Sequence, residues 1–287
     1  MTNQQRLVRR VFMSQPVTVT GGPNTEQDYR SGSTTLSLEL DVLGEPVRFD
    51  LKVANVQARL SDIAPLARTL SAKLVGATLD RLGAEGKNVP CRKGCSACCR
   101  YLVPLSVPEV FRLAEDMSAM PASDRETSMQ ASLDTARIIL DRMPADFRTA
   151  EPAQAEDGVR SKQLSEWYAG LGLSCPLLSD NLCVLYEQRP IACREHMVIS
   201  SADSCDPAST HKQNVVKMPV SVIECLGLLT AELEQSDVEA VMLPLALPWA
   251  QENAERSRRT WPAPAMVERF VEILQSTAKA PAAAPQP

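Results

Sequence analysis

The sequence predicts a mainly α-helical fold with an N-terminal β-hairpin and an irregular, cysteine-rich core. Of the 287 residues, 44% are hydrophobic but only 4% are aromatic, and a core of Leu, Val, Ala, Met and Ile favours helices packed on helices. Strand-like alternation occurs near the N-terminus, and eight of the nine cysteines lie in two groups within loop-like segments. These three observations define the predicted fold class.

Composition divides the chain into five regions. We expect residues 1–34, which are rich in turn-forming residues, to be flexible. Residues 35–88 form a β-hairpin and a helix, residues 89–216 form a cysteine-cluster domain, and residues 217–278 form a C-terminal helical region. The last segment, 279–287, is rich in Ala and Pro and is predicted to be a disordered tail.

The hairpin and the first helix follow from periodicity. Apolar residues alternate with polar ones before and after a turn at Leu43-Gly44-Glu45-Pro46, at Leu36, Leu38, Leu40, Val42, Val47, Phe49, Leu51 and Val53. A helix is then predicted from Ser61, a plausible N-cap residue, until Gly83 and Gly86. Its apolar positions are Ile63, Leu66, Leu70 and Leu74.

Further helices are predicted from capping signals. Ser106 and Glu109 have the spacing of a capping box, and Ser123 and Glu126 repeat it. The second of these helices would carry an apolar stripe of Met129, Leu133, Ala136 and Leu140. Residues 145–162 read as a connector, residues 163–171 as a short helix, and the chain after Pro219 as helical, with breaks at Pro244, Pro248 and Pro262.

Charge and hydropathy exclude several classes of protein. The net charge of −5 and the isoelectric point near 5.3 argue against a nucleic-acid binder, which normally presents a basic face. The most apolar stretch, 241–250, is far shorter than the roughly 20 residues that span a bilayer, and no signal-peptide pattern follows the N-terminal arginines. We therefore expect a cytoplasmic protein, in which nine cysteines are not a disulfide framework.

The cysteines are the main functional signal. Cys91, Cys95, Cys98 and Cys99 fall within nine residues, and a second group follows a long cysteine-free stretch, at Cys175, Cys183, Cys193 and Cys205. Thiolates are strong ligands for soft metals. The spacing therefore predicts a metal-binding core whose ligands are these eight cysteines. Cys225 stands apart in an apolar run and is predicted to be a buried helix residue.

The type of metal centre stays open between zinc and an iron–sulfur cluster. Structural zinc takes paired cysteines from two loops, whereas a [4Fe–4S] cluster takes three closely spaced cysteines and a remote one followed by proline. Cys91, Cys95 and Cys98, with Cys175 and Pro176, fit the second pattern. Because adjacent side chains point to opposite faces of an extended chain, Cys98 and Cys99 could serve two centres. The sequence does not decide between one site and two.

Other chemistries are less well supported. The spacing from Cys91 to Cys98 also matches radical S-adenosylmethionine enzymes, but Ala97 stands where these usually have an aromatic residue. No catalytic dyad or triad is evident, and neither catalytic residues nor an organic cofactor site are predicted. His196 is a weaker candidate for a metal ligand. Arg189 and Arg194, which flank Cys193, are candidates for neighbours of a thiolate-bound metal.

The motif series resembles the YkgJ-type cysteine-cluster family, which is described as zinc- or iron-chelating. The resemblance rests on the motifs Cys91-x3-Cys95-x2-Cys98-Cys99-Arg100, Leu105-Ser106, Glu109, Cys175-Pro176-Leu177-Leu178, Cys183-Val184-Leu185-Tyr186, Arg189-Pro190 and Cys193-Arg194. It implies that seven family cysteines fall on Cys91, Cys95, Cys98, Cys99, Cys175, Cys183 and Cys193, with Cys205 as an eighth. Many family members have two residues in the first gap, where this chain has three.

The resemblance implies metal binding more than any reaction. Flagellin lysine N-methylases are similar in this cysteine module, so S-adenosylmethionine-dependent protein lysine methylation is a second hypothesis. A third is a structural zinc scaffold for a protein partner, with the C-terminal helices as the contact surface. The expected partners are thus a metal ion or cluster and a protein partner or protein substrate, with no nucleic acid and no membrane.

Overall fold

The computed structural model describes residues 17–20, 32–42, 44–148, 157–199, 201–207 and 209–279. Most of the predicted flexible N-terminus, and the predicted tail after residue 279, lie outside the described residues. The described chain is mainly helical with an antiparallel β-hairpin before the first helix. The predicted fold class is therefore confirmed.

The hairpin consists of β2 (Ser33–Val42) and β3 (Glu45–Ala54), and β1 (Val17–Thr20) adds to the free edge of β3. The predicted alternation is confirmed, because Leu38 faces Phe49 across the hairpin and both side chains are buried. The turn requires Gly44, whose φ of 88° is accessible to glycine at little cost. The sequence analysis did not predict β1.

The first helix, α1 (Leu60–Ala84), begins two residues earlier than predicted. Arg59 is its N-cap residue, and the Asp62 carboxylate accepts the backbone N–H of Arg59 at 2.8 Å. Ser61 is therefore not the cap; its hydroxyl donates to Glu115 at 2.9 Å. The predicted apolar face is confirmed, and the helix ends just before Gly86, as expected.

The capping box at Ser106 is confirmed, whereas the one at Ser123 is wrong. Ser106 caps α2 (Val107–Ser118), and the Glu109 carboxylate accepts hydrogen bonds from the Ser106 N–H at 3.2 Å and from its hydroxyl at 3.0 Å. The next helix, α3 (Ala122–Arg142), has Pro121 as its N-cap. Ser123 lies inside its first turn, where no capping role is open to it.

The apolar stripe predicted on α3 is only partly right. Ala136 is buried, but Met129 and Leu140 are 38% and 55% exposed. Besides Ala136, the helix buries Ser128, Ser132, Thr135 and Ile139. Small residues allow α3 to approach its neighbours closely, and the Ser132 hydroxyl donates to the Ser128 carbonyl at 2.8 Å, so its burial leaves no unpaired donor.

The segment predicted as a connector contains helix. Two helices occupy its described parts, α4 (Ala145–Arg148) and α5 (Asp157–Gly170), and α5 takes in most of the short helix predicted at 163–171. A small hairpin follows, made of β6 (Leu178–Ser179) and β7 (Leu182–Cys183). The one-turn helix α6 (Ile191–Glu195) then carries Cys193.

The C-terminal region is helical, as predicted. It contains α7 (Val222–Glu234), α8 (Ala246–Glu252), α9 (Ala254–Ser257) and α10 (Ala263–Lys279). Pro244 lies in a 3-10 turn and Pro262 lies just before α10, but Pro248 does not break a helix. It lies in the first turn of α8, where a missing N–H costs little.

Short strands connect the two ends of the chain. The strand before α2, β5 (Pro104–Ser106), pairs with β8 (Ala240–Met242), and β4 (Gln57–Ala58) pairs with β9 (Trp261–Pro262). One main core correspondingly combines side chains of the hairpin, α1, α7 and α10. A second core, under the cysteine region, includes Leu105, Leu113, Leu177 and Leu185, with Cys175 and Cys183 packed against it.

Buried polar contacts join the helices to the cysteine region. Arg68 on α1 forms an ion pair of 2.6 Å with Asp116 on α2, and both side chains are less than one-tenth exposed. Glu109 on α2 also accepts the backbone N–H of Ile191, the first residue of α6, at 2.8 Å. Within the described ranges, no helix is both long and apolar enough to cross a membrane.

We expect Glu109→Gln to destabilise the protein by about 1–3 kcal/mol, the cost of leaving a buried hydrogen-bonding group unpaired. The two carboxylate oxygens accept the backbone N–H groups of Ser106 and Ile191. In the glutamine variant, the side-chain NH₂ group would face one of these backbone N–H groups, and two donors would meet without an acceptor. The measurement is the free energy of unfolding in urea. Glu126→Gln, at the exposed and non-functional second capping pattern, is the control, and equal values for the two variants would contradict the prediction.

Candidate metal centre

The first cysteine group lies on a loop of successive tight turns. The backbone N–H of Cys95 donates to the Arg92 carbonyl at 3.0 Å, that of Cys99 to Ser96 at 3.0 Å, and that of Tyr101 to Cys98 at 3.2 Å. Gly94 adopts a φ of 89°, which turns the chain between Cys91 and Cys95. No residue from 83 to 104 is buried. The loop is therefore held by turns and polar contacts and not by a core of its own.

The β6–β7 hairpin presents two cysteines of the second group. Cys183 pairs with Leu178 across the hairpin, and the Cys175 carbonyl accepts the Leu178 N–H at 3.0 Å. Asp180 and Asn181 form the turn with positive φ angles of 49° and 61°, a conformation that Asp and Asn tolerate. This turn brings Cys175 and Cys183 to the same end of the hairpin.

The two groups meet directly. The Cys175 N–H donates to the Cys99 carbonyl at 2.7 Å, and the Ser96 hydroxyl donates to the Asn181 side chain at 3.2 Å. These contacts join the loop of the first group to the hairpin of the second. The long cysteine-free stretch between them in sequence therefore separates groups that are adjacent in space.

Cys193 reaches the same region from α6. Burial raises the pKa of the Cys193 thiol well above its ordinary value, and the neighbouring thiols of Cys175, Cys98 and Cys183 raise it further. Burial raises the pKa of Cys175 to about 12, with further contributions from Cys183 and Cys98. Cys193 therefore lies close to cysteines of both groups.

Cys205 belongs in space with the first group. It ends a 3-10 turn at Ala202–Cys205, and the next residue, Asp206, pairs with Arg100 at 3.6 Å. The pKa of Cys205 is raised to about 11. Burial is the largest cause, and the charges of Cys98, Cys91 and Cys95 add to it. The spatial grouping thus differs from the grouping along the chain.

Cys98 is the cysteine that connects the two sets of thiols. The hydrogen bond with Cys99 raises the pKa of the Cys98 thiol, and burial raises it further. The charge of Cys98 in turn raises the pKa of four other thiols, those of Cys91, Cys175, Cys193 and Cys205. Thiols this close cannot all ionise without a cation, because each thiolate repels the next. A thiolate-binding metal ion or cluster would supply that positive charge.

The donor set fits such a group, although the sulfurs are not yet arranged around a point. Thiols dominate it, as zinc and iron–sulfur clusters require. In the part of the chain that the structure describes, no three His, Cys, Asp or Glu side chains are arranged to hold one metal ion. Binding would therefore have to draw the sulfurs closer together.

The remaining sequence candidates lie in different settings. Cys225 is buried in the main core on α7, as predicted. The Nε2 atom of His196 is buried and, among the described residues, has no hydrogen-bond partner. Burial lowers the pKa of His196, which favours the neutral ring.

Two residues that organise the region were not predicted to do so. Glu109 was identified as a cap and as part of the motif series, but its hydrogen bond to Ile191 joins residues far apart in the chain. Tyr101 was not identified at all. Burial and the charge of Cys205 raise its pKa, and its hydroxyl accepts a hydrogen bond from Gln213 at 2.8 Å. A tyrosine two residues after a cysteine pair is not a pattern that predicts such contacts.

Comparison with known protein families gives a match to the cysteine region. Residues 90–219 match the model of the CxxCxxCC family, described as a "putative zinc- or iron-chelating domain". The match covers just under half of the chain. The match confirms the resemblance of the cysteine region to this family, and it supports metal binding by zinc or iron. Neither the curated proteins nor the solved structures contain a match to the chain.

We expect Gly94→Ala to weaken metal binding roughly 5- to 30-fold. An alanine at this φ costs about 1–2 kcal/mol, and each 1.4 kcal/mol is about a tenfold change in affinity. The cost is conformational, since the nearest atom to the added Cβ would be Leu182 Cδ2 at 3.9 Å. The measurement is zinc or iron retention in competition with a chelator.

The control is Gly83→Ala in the last turn of α1, where an added Cβ meets no atom within 4 Å. This change should stabilise the helix by about 0.5–1 kcal/mol and leave metal binding unaltered. If Gly94→Ala retained metal as well as Gly83→Ala did, the left-handed turn would have no role in forming the site.

Proposed function

We propose that Cys91, Cys95, Cys98, Cys99, Cys175, Cys183, Cys193 and Cys205 are the ligands of an iron–sulfur cluster or zinc. One observation carries this proposal. Two cysteine groups from distant parts of the chain meet around Cys98, and the loop that bears four of them has no buried residue. Loops of this kind are stabilised when metal–ligand bonds replace missing hydrophobic burial. Folding of residues 89–216, as one metal-binding domain, would then be coupled to metal binding.

A [4Fe–4S] cluster is the more specific form of the proposal. Three cysteines of the first loop and one remote cysteine followed by proline would ligate its irons. The hydrogen bond between Cys175 and Cys99 supports this reading, because it brings the remote cysteine against the loop of the close ones. Zinc with four thiolates is the alternative, and the remaining cysteines would leave room for a second site.

We infer a reducing compartment, the cytoplasm, because all nine cysteines are free thiols in the structure. Protein lysine methylation and a zinc scaffold for a protein partner stay predictions, since no described feature favours either. The supported role is the binding of metal by the thiol cluster. Any reaction would be performed around that centre.

Anaerobic purification followed by metal analysis and an absorption spectrum tests the proposal directly. We expect either a brown protein that absorbs at roughly 400 nm, with iron and acid-labile sulfide, or a colourless protein with tightly bound zinc. Removing the metal with a chelator should lower the melting temperature. A protein that is metal-free after growth with ample iron and zinc, and that chelators do not destabilise, would refute the proposal.

Cys193→Ala and Cys225→Ala form a matched pair of variants. Each removes a buried or half-buried thiol from a helix, but only Cys193 lies among the other thiols. We expect Cys193→Ala to lose bound metal and Cys225→Ala to retain the wild-type amount, measured by elemental analysis per chain. Equal metal contents in the two variants would exclude Cys193 as a ligand.

A further inference from the structure

Two arginines beside the cysteines have no carboxylate partner. Within the described ranges, no carboxylate oxygen lies within 4.0 Å of the guanidinium group of Arg189 or Arg194. Other cations near the site differ in this respect. Lys93 pairs with Glu187 at 3.5 Å, and Arg100 pairs with Asp206 at 3.6 Å. The charges of Arg189 and Arg194 are therefore not neutralised by a direct ion pair.

Local contacts hold both side chains in place. The Arg189 guanidinium lies over the Tyr186 ring, 4.4 Å from its centroid. Arg194 donates from Nε to the Arg189 carbonyl at 3.0 Å, and a second guanidinium nitrogen donates to the Glu187 carbonyl. Arg194 thus directs two of its five N–H donors at backbone carbonyls, while no direct ion pair with a carboxylate is found for it among the described residues.

The Nε atom of Arg189 is a buried donor that has no acceptor among the described residues. Such donors are rare, because an unpaired buried N–H costs as much as a lost hydrogen bond. Besides Tyr186 and Arg194, the groups near this side chain include thiols. Burial raises the pKa of Cys91 and of Cys183, and the Arg189 charge opposes that rise in both. It opposes the rise at Cys98 in the same way.

Arg189 therefore acts on thiols of both cysteine groups, and Arg194 acts on Cys183 as well. Burial lowers the pKa of Arg194, and the charge of Arg189 lowers it further. The two cations therefore repel each other. The Glu187 carboxylate raises the pKa of Arg194 from beyond ion-pair distance, but with protonated thiols the two cations would have no direct ion-pair partner among the described residues. Four thiolates around Zn²⁺ carry two net negative charges, as do four thiolates around a [4Fe–4S]²⁺ core.

We propose that Arg189 and Arg194 are positioning residues of the metal centre, whose combined charge balances a dianionic thiolate–metal group. On binding, each ligating thiol releases its proton to solvent, and Nε of Arg189 donates a hydrogen bond to one of the sulfurs. This inference rests on the proposed function, which it deepens by assigning the charge of the bound group. Anionic thiolate centres are matched by such donors in the surrounding protein.

The test compares four variants of the full chain: Arg189→Met, Arg194→Met, Arg189→Lys and Arg100→Met. Arg100→Met is the control, because it removes a cation next to Cys99 that is exposed and already paired with Asp206. Zinc affinity of the metal-free proteins is measured by chelator competition. The charge-transfer absorption of the Co²⁺-loaded proteins reports the geometry at sulfur, and far-UV circular dichroism checks that each variant is folded.

We expect Arg189→Met and Arg194→Met to lose roughly 10- to 100-fold in zinc affinity, the usual effect of removing a group that orients metal ligands. Arg189→Lys should recover part of the loss, since it keeps the charge but not the Nε donor. Arg100→Met should stay within about twofold of the wild type. A lysine variant as weak as the methionine variant would overturn the charge-balance argument.

If the wild-type protein holds an iron–sulfur cluster instead of zinc, the readout is its reduction potential. Loss of a nearby cation disfavours the added electron, so Arg189→Met should shift the potential to more negative values while Arg100→Met does not. An unchanged potential or zinc affinity in Arg189→Met would overturn this inference alone. A wild-type protein that binds neither zinc nor a cluster would instead refute the proposed function.

Discussion

The hydrogen bonds of the buried Glu109 carboxylate set the distance between the two halves of the thiol cluster. One oxygen accepts from Ser106, just after the first cysteine loop, and the other accepts from Ile191, two residues before Cys193. Burial raises the pKa of Glu109, and the hydrogen bonds from Ile191 and Ser106 oppose that rise. A carboxylate is the side chain that can accept from both sides at once. The Glu109 carboxylate therefore both caps α2 and holds α6 in place.

The first cysteine loop depends on similar polar contacts because it has no buried residue of its own. Arg68 with Asp116 and Ser71 with Glu195 connect α1 to α2 and to α6, whereas no residue from 83 to 104 is buried. A typical hydrogen bond contributes only about 0.5–1.5 kcal/mol net. Hydrogen bonds of this strength can hold the loop in place, but they do not bring several sulfur atoms to the distances that one metal ion requires. This explains why the thiols are gathered but not arranged as ligands.

Much of the fold followed from local patterns, and the errors occurred where non-local contacts decide. Alternation predicted the hairpin because one of its faces is buried, and the Ser106 signal predicted a cap because both partners lie within one turn. The same signal failed at Ser123, where Pro121 begins the helix first. On α3, packing selected the small serines over Met129 and Leu140. Periodicity ranks faces by hydrophobicity alone, and close approach between elements can reverse that ranking.

For the site, the sequence predicted that the two cysteine groups meet, which the hydrogen bond from Cys175 to Cys99 bears out, but not how the thiols group. Spacing assigns Cys205 to the second group, yet the charges of Cys98, Cys91 and Cys95 act on its buried thiol. The 3-10 turn that Cys205 ends is one of the contacts behind that position, and spacing does not show it. The consequence is chemical, because a centre drawing on Cys205 and the first loop closes segments more than a hundred residues apart. Binding of one metal there constrains the whole domain, and not merely the loop that carries the first four thiols.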